Sequence, residues 1–153
     1  MPQSQPQPLP SADEPDCIFC KIIRKEIPSA AVLETDHALV FLDINPVNPG
    51  HLLLVPKHHH RNLIELPDSV AAEVGSLLPR LCKAVQAATS AEGFNLVVNN
   101  GEVAGQTVFH GHWHIIPRFT NDPIKWPWPQ GRYEAEELGR MRDSLQKELG
   151  VGG

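Results

Sequence analysis

No apolar run in this chain approaches the roughly 20 residues that a helix needs to cross a bilayer. Its opening, MPQSQPQPLPSADEPD, has neither the basic stretch nor the apolar core of a secretory leader. The expectation is a cytoplasmic protein with no membrane partner. Positive charge is also short. Thirteen basic residues stand against 18 acidic ones, a formal net charge of −5, which argues against a nucleic-acid partner held by non-specific phosphate attraction. A small-molecule site stays open. Cysteine is scarce and odd in number, three in all. Two of them form Cys17-Ile-Phe-Cys20, and in a reducing compartment such a pair suggests metal or redox chemistry more than a structural disulfide. Cys82 falls in an apolar helical pattern and reads as buried. No internal repeat suggests a solenoid.

What is present fits one globular domain: 153 residues, 41% hydrophobic, enough for a single core. Residues 1–15, rich in Pro, Gln and Ser, read as a disordered tail. Folding starts near Asp16, the expected N-cap of a short helix that lines up Ile18, Phe19, Ile22 and Ile23 and ends by Pro28. Strands are expected near Ala31–Glu34, Ala38–Leu42 and His51–Val55, the last two separated by the turn-rich Asn45–Gly50. Val70, Val74, Leu77, Leu78, Leu81 and Val85 mark a long helix from Asp68 to about Ala91, with Pro79 expected to kink it. Strands at Phe94–Val98 and Thr107–Ile116 follow, joined by the loop Asn99–Gly105. Beyond them come a loop containing Trp126 and Trp128 and a final helix marked by Leu138, Met141, Leu145 and Leu149. The two tryptophans either close over the leaving-group side of a site or pack against a dimer or the final helix.

The segment His110-Gly-His-Trp-His-Ile-Ile-Pro-Arg118 puts a histidine at every second position. On a strand, His110, His112 and His114 point one way while Gly111, Trp113 and Ile115 point the other. Three readings compete: a catalytic zinc site, the polar outer face of an edge strand, or nucleophilic catalysis by a neutral imidazole whose other nitrogen is held by a carbonyl. The third needs an anion-binding loop beside the strand. Gly105-Gln106-Thr107 offers an amide, a hydroxyl and backbone N–H groups for that purpose.

The stretch from Gly105 to Arg118 strongly resembles the signature of the histidine triad (HIT) superfamily of nucleotide hydrolases and transferases. Ile18–Pro28, Phe41–Ile44, Pro49–Lys57 and Asn95–Asn100 are similar to their counterparts in order, so the resemblance spans roughly residues 16–120. One departure is Gly111, where the family carries an apolar residue; glycine there weakens a strand. The resemblance implies that His112 attacks the α-phosphorus of a nucleotide, that His114 and His51 support the phosphate and leaving group, and that the carbonyl of His110 orients the nucleophile. It also implies that Gln106, Thr107 and Asn99 hold phosphate and nearby oxygens, and that Asp43 accepts the ribose hydroxyls. Ile18, Phe19, Ile22, Phe41 and Ile44 would then form the purine slot. Prokaryotic members that resemble this chain bind a structural zinc at the positions that here read Cys17, Cys20, His59 and His110, a closed Cys2His2 site with no part in the chemical step.

The resulting expectation is an α+β, HIT-like fold. It has a five-stranded, mainly antiparallel sheet, one long helix and a C-terminal helical extension, with the HIT domain at 16–120 and the Trp/Pro loop and last helix at 121–153. Family members of this size form homodimers, and the same is expected here. The expected activity is cleavage of a purine nucleotide at its α-phosphate through a nucleotidyl-histidine, with phosphoramidate substrates favoured. The alternatives are a dinucleoside polyphosphate hydrolase, and a nucleotide-binding scaffold with little turnover. A zinc-hydrolase triad is disfavoured because no Glu or Asp on the triad strand is available as a base.

Overall fold

The apolar runs early in the chain become strands covered on both faces. Ala38–Leu42 (β2) and Leu52–Pro56 (β3) are buried at every position, as expected where a sheet has layers on either side. The computed structural model describes residues 14–124 and 130–152; most of the proposed tail, and the loop with Trp126 and Trp128, lie outside the described residues. β2 and β3 pair antiparallel from Ala38 opposite Pro56 to Leu42 opposite Leu52. Ala31–Glu34 (β1) joins the far side of β2, with an irregularity between Ala31 and Leu33. Gly93–Val97 (β4) and Trp113–Arg118 (β5) complete a five-stranded sheet of order β1-β2-β3-β5-β4, antiparallel at every junction. This is the α+β architecture that the sequence predicts.

Side-chain alternation divides this sheet into two working faces. Val40, Leu42, Leu52, Leu54, Trp113 and Ile115 bury one face together with Val70, Val74, Leu81 and Val85 of the long helix Asp68–Thr89 (α2). Leu145 and Leu149 of Glu137–Leu149 (α3) enter the same core, with Leu138 and Met141 partly buried beside them. Leu39, Phe41, Leu53 and Val55 bury the other face against Phe19 and Ile22 of the short helix Ile18–Ile23 (α1). His114 lies opposite Leu53 across β3 and β5, which puts its imidazole on the α1 side. The large helices thus hold the sheet from behind and leave the α1 side for a site.

Several expectations shift. The N-cap of α1 is Cys17 rather than Asp16, because Cys17 is extended and its Sγ accepts the Cys20 N–H at 3.4 Å. α2 ends at Thr89 and runs through Pro79 as one helix. β3 starts at Leu52 rather than His51, and β4 spans Gly93–Val97 rather than Phe94–Val98. The largest change is β5, which begins at Trp113 and not at Thr107, so His110 and His112 precede the strand and only His114 lies on it. Two features of Pro56 explain this. Proline has no N–H to extend the ladder, and its carbonyl is taken by His110 Nε2 at 2.8 Å.

α3 is tied in as well as packed: Arg80 Nη2 donates to the Leu149 carbonyl at 2.6 Å, and Gln146 Nε2 to that of Ala31 at 3.1 Å. Leu145 is fully buried, so Leu145→Ala is expected to destabilise the whole domain by about 2–5 kcal/mol. Urea unfolding followed by circular dichroism checks this; a separate, small transition for α3 with the main midpoint unmoved would mean that the helix is an appendage.

Candidate active site and metal centre

On the α1 side of the sheet lies a cavity of about 690 Å³. Phe19, Ile22, Phe41 and Leu53 line its apolar end, and Ile18 and Ile44 rim it at 46% and 63% exposure. Phe19 packs edge-on against Phe41, ring centroids 5.9 Å apart, and against the His112 imidazole at 4.9 Å. Asp43, Asn99, Thr107, His112 and His114 line the polar end. A flat apolar slot that opens onto a carboxylate, an amide, a hydroxyl and two imidazoles suits a ligand that is aromatic at one end and polar at the other.

His112 turns its Nδ1 back to the carbonyl of His110 at 2.8 Å. Since a carbonyl only accepts, Nδ1 holds the proton and Nε2 is left with its lone pair. Burial lowers the pKa of His112 below the ordinary imidazole value, opposed by that hydrogen bond, which keeps it neutral and nucleophilic near neutral pH. A second chain of bonds sets the protons on its neighbours. The Val47 N–H donates to His51 Nδ1 at 3.1 Å, so His51 carries its proton on Nε2 and donates it to His114 Nδ1 at 2.9 Å. His114 is thereby left with its proton on Nε2. Asp43 sits 3.8 Å from His51 Nε2, with its other oxygen accepting the Asn45 N–H at 2.8 Å; burial raises its pKa.

Two of the expected roles are not what the structure builds. Gln106 is buried and does not line the cavity: its amide donates to the carbonyls of Arg61 and Val108, and its Oε1 accepts the Gly101 N–H. It holds the loop rather than facing a phosphate. The N–H groups of Gly105 and Gln106 are also engaged, on the carbonyls of Glu102 and Gly101 at 3.0 and 3.1 Å, because the loop folds into a 3-10 turn at Glu102–Ala104. The side chains of Asn99 and Thr107 remain as the cavity's non-imidazole donors on this side. Among the lining residues that the sequence does not mark are Leu53, Val108 and Gln130. The alternation of β3 points to Leu53; nothing local marks the other two. Gln130 is held in place by its neighbours, since Gly131 N–H donates to the Pro46 carbonyl at 2.9 Å and Gly50 N–H to the Tyr133 hydroxyl at 2.8 Å.

Next to the cavity, and distinct from it, Cys17, Cys20, His59 and His110 bring one donor atom each within 4.8 Å of one another. His110 Nδ1 lies 3.4 Å from Cys17 Sγ and 3.2 Å from His59 Nδ1, and Cys20 Sγ lies 3.3 Å from His59 Nδ1. His110 donates from Nε2 to the Pro56 carbonyl, which leaves Nδ1 free to ligate and fixes the ring as metal-binding histidines require. Burial, reinforced by Cys17, pushes the Cys20 thiol up to about 11; a divalent cation facing both sulfurs reverses that cause. The donor set fits a closed tetrahedral zinc site. Asp43, His51 and His114 also cluster, but the Val47 bond keeps the proton on His51 Nε2 and so occupies the nitrogen that such a cation would need.

The sequence pattern of the HIT domain matches residues 24–121. The chain is 36% identical to adenosine 5'-monophosphoramidase HNT1 of Candida albicans, over 90% of this chain and 94% of that protein. It is 44% identical to adenylylsulfatase HINT3 of Arabidopsis thaliana, over 87% of this chain and 64% of the relative. A zinc-bound histidine triad family protein from Mycobacterium smegmatis superposes with a TM-score of 0.77 at 31% identity, covering 88% of this chain and 94% of that one. Among the described residues no helix is long and apolar enough to cross a membrane.

Burial, with a smaller contribution from neighbouring imidazoles, pushes His51 and His114 down from 6.5 to about 3. Above pH 6.5 both are neutral whether the chain is folded or not, and their contribution to stability is constant. As pH falls toward 3 the unfolded chain takes up protons that the folded one refuses. Stability is therefore expected to decline across that window, by up to about 1.4 kcal/mol per pH unit for each imidazole. Urea midpoints measured across this range test it: His51→Gln should flatten the decline, and an unchanged slope would mean that His51 does not stay neutral.

Proposed function

The chain belongs to the HIT domain family, and from that membership we propose that it hydrolyses a purine nucleotide at its α-phosphate through a covalent intermediate on His112, with phosphoramidates as the favoured substrates. The observation that carries the reading is the 2.8 Å bond from His112 Nδ1 to the His110 carbonyl, which aims a bare Nε2 at the cavity's polar end. The purine lies in the slot of Ile18, Phe19, Ile22, Phe41 and Ile44, and Asp43 accepts the ribose hydroxyls. Asn99 and Thr107 bond the phosphate oxygens. In the first step the Nε2 lone pair forms an N–P bond as the bond to the leaving amine breaks; the His114 Nε2–H bonds the departing nitrogen, which takes its net proton from solvent and leaves as a neutral amine while His114 stays neutral and His51 holds it in place. In the second, water forms the O–P bond as the His112–phosphorus bond breaks, the Nε2 lone pair of His112 is restored, and the proton released by water returns to solvent. No metal takes part in either step. The two relatives are an adenosine 5'-monophosphoramidase and an adenylylsulfatase, whose substrates join an amine or a sulfate to an adenylyl unit, which supports cleavage on that side of the phosphorus.

Zinc, when bound by Cys17, Cys20, His59 and His110, supplies cross-linking of α1 to the segment before β5. A homodimer is part of the same reading: β4 is an edge strand whose Phe94 and Leu96 are exposed at 41% and 44%, as an edge awaiting a partner strand would be. The cytoplasm remains the proposed compartment.

Two experiments test these assignments. Intact-protein mass spectrometry after a rapid acid-free quench with adenosine phosphoramidate is expected to show an adenylyl adduct on the wild type and none on His112→Ala, whose turnover falls by at least about 10³-fold. Turnover that survives in His112→Ala would sink the covalent route. Cys17→Ser is expected to lower bound zinc and the melting temperature while leaving the adduct-forming rate close to wild type. A folded Cys17→Ser protein without activity would instead tie the metal to the chemistry.

A further inference from the structure

Gly111 lies between the residue whose carbonyl holds the nucleophile and the nucleophile itself, and His60 closes on it from two directions. The His60 carbonyl accepts the Gly111 N–H at 2.9 Å. The His60 ring occupies the space where a side chain at position 111 would stand: a Cβ there would collide with Nε2 and lie 2.9 Å from Cδ2 and 3.4 Å from Cε1. Contacts under 3.0 Å force something to move, and this ring has little freedom. It is 1% exposed, its Nδ1 donates to the His58 carbonyl at 3.0 Å, and the imidazoles of His58 and His110 flank it at 5.9 and 5.7 Å. Its Nε2 is buried with no hydrogen-bond partner, so what meets Gly111 is a bare lone pair facing a C–H, a contact that only hydrogen at that position permits.

We propose that His60 is a positioning residue for His112, acting through Gly111, and that the two are a coupled pair: glycine stands at 111 because His60 fills the adjoining space. This inference rests on the reading of His112 as the nucleophile. The segment 110–112 lacks the strand ladder that begins only at Trp113, so its backbone needs another support. His60 provides it, with its carbonyl on the Gly111 N–H and its ring on the opposite constraint. The peptide between His110 and His112 is then fixed, and with it the direction of the His110 carbonyl that receives His112 Nδ1–H. The departure at 111 from the apolar residue of the family pattern is thereby a packing exchange, in which an imidazole from the loop after β3 replaces a side chain on the nucleophile's own segment.

The test compares Gly111→Ala, His60→Ala and the double variant in the full chain, with two readouts. One is the single-turnover rate of adduct formation with adenosine phosphoramidate, together with KM. The other is the imidazole 15N spectrum, which reports the Nδ1-protonated state of His112 whether or not the protein turns over. Gly111→Ala is expected to slow adduct formation about 10²-fold with KM little changed, because the purine slot and Asp43 are untouched, and to weaken the His112 Nδ1–H signature. Removing the ring as well should restore both. Wild-type rate and spectrum in Gly111→Ala would overturn the pairing, as would a double variant as impaired as Gly111→Ala alone. If Gly111→Ala does not fold, the double variant decides: folded with the wild-type signature supports the pair, and folded without it overturns it. A wild type that forms no adduct yet keeps the His112 signature sinks the proposed reaction and leaves the packing claim to be judged by the spectra.

Discussion

The bond from His112 Nδ1–H to the His110 carbonyl joins the two halves of the molecule's chemistry. Its acceptor belongs to the residue whose side chain is turned away, into the cluster with Cys17, Cys20 and His59. The tautomer of His112, the proposed nucleophile, is therefore set by a peptide group whose own side chain is anchored in that Cys/His cluster. That side chain is in turn held by the Pro56 carbonyl at the end of β3. Three adjacent groups thus fix one lone pair: a strand end, an imidazole that faces the sulfurs, and a carbonyl between them. Each is a backbone or buried group with a single available geometry, which is what preorganisation requires.

The sheet supports this by dividing labour between its faces. α2 and α3 bury the Val40, Leu52 and Trp113 side into one continuous core. Among the described residues the opposite side is packed by the six-residue α1 with Ile27 and Val108, so it has room for a cavity on the sheet. Alternation along β5 assigns Trp113 and Ile115 to the core and His114 to the site. Burial that stabilises the sheet also strips water from the imidazoles, which is why His51, His110 and His114 are all pushed down to about 3.

Much of this was legible in the sequence because it follows from local rules. Short apolar runs between turn signals give β1 to β3 and the 3.6-residue stripe gives α2 and α3, whereas the cluster of Cys17, Cys20, His59 and His110 is expected only from the family resemblance. What was not legible depended on who accepts which hydrogen bond. Alternating histidines carry the period of a strand whether or not a ladder exists, so the pattern predicts β5 six residues before its observed start, where Pro56 ends the ladder. A polar loop suggests a phosphate donor at Gln106, but a buried amide is consumed by the nearest carbonyls. The thiol of Cys17 displaced Asp16 as the cap of α1. Gly111 read as a weakness in a strand, since its reason lies in His60, 51 positions away in sequence.

The tie between Tyr133 and Gly50, and that between Gly131 and Pro46, put Gln130 in the cavity wall from a stretch beyond the 24–121 family match. The cavity is therefore closed partly by residues outside that match, and a change at Gly131 or Tyr133 reshapes its wall through Gln130 without touching any of the three histidines.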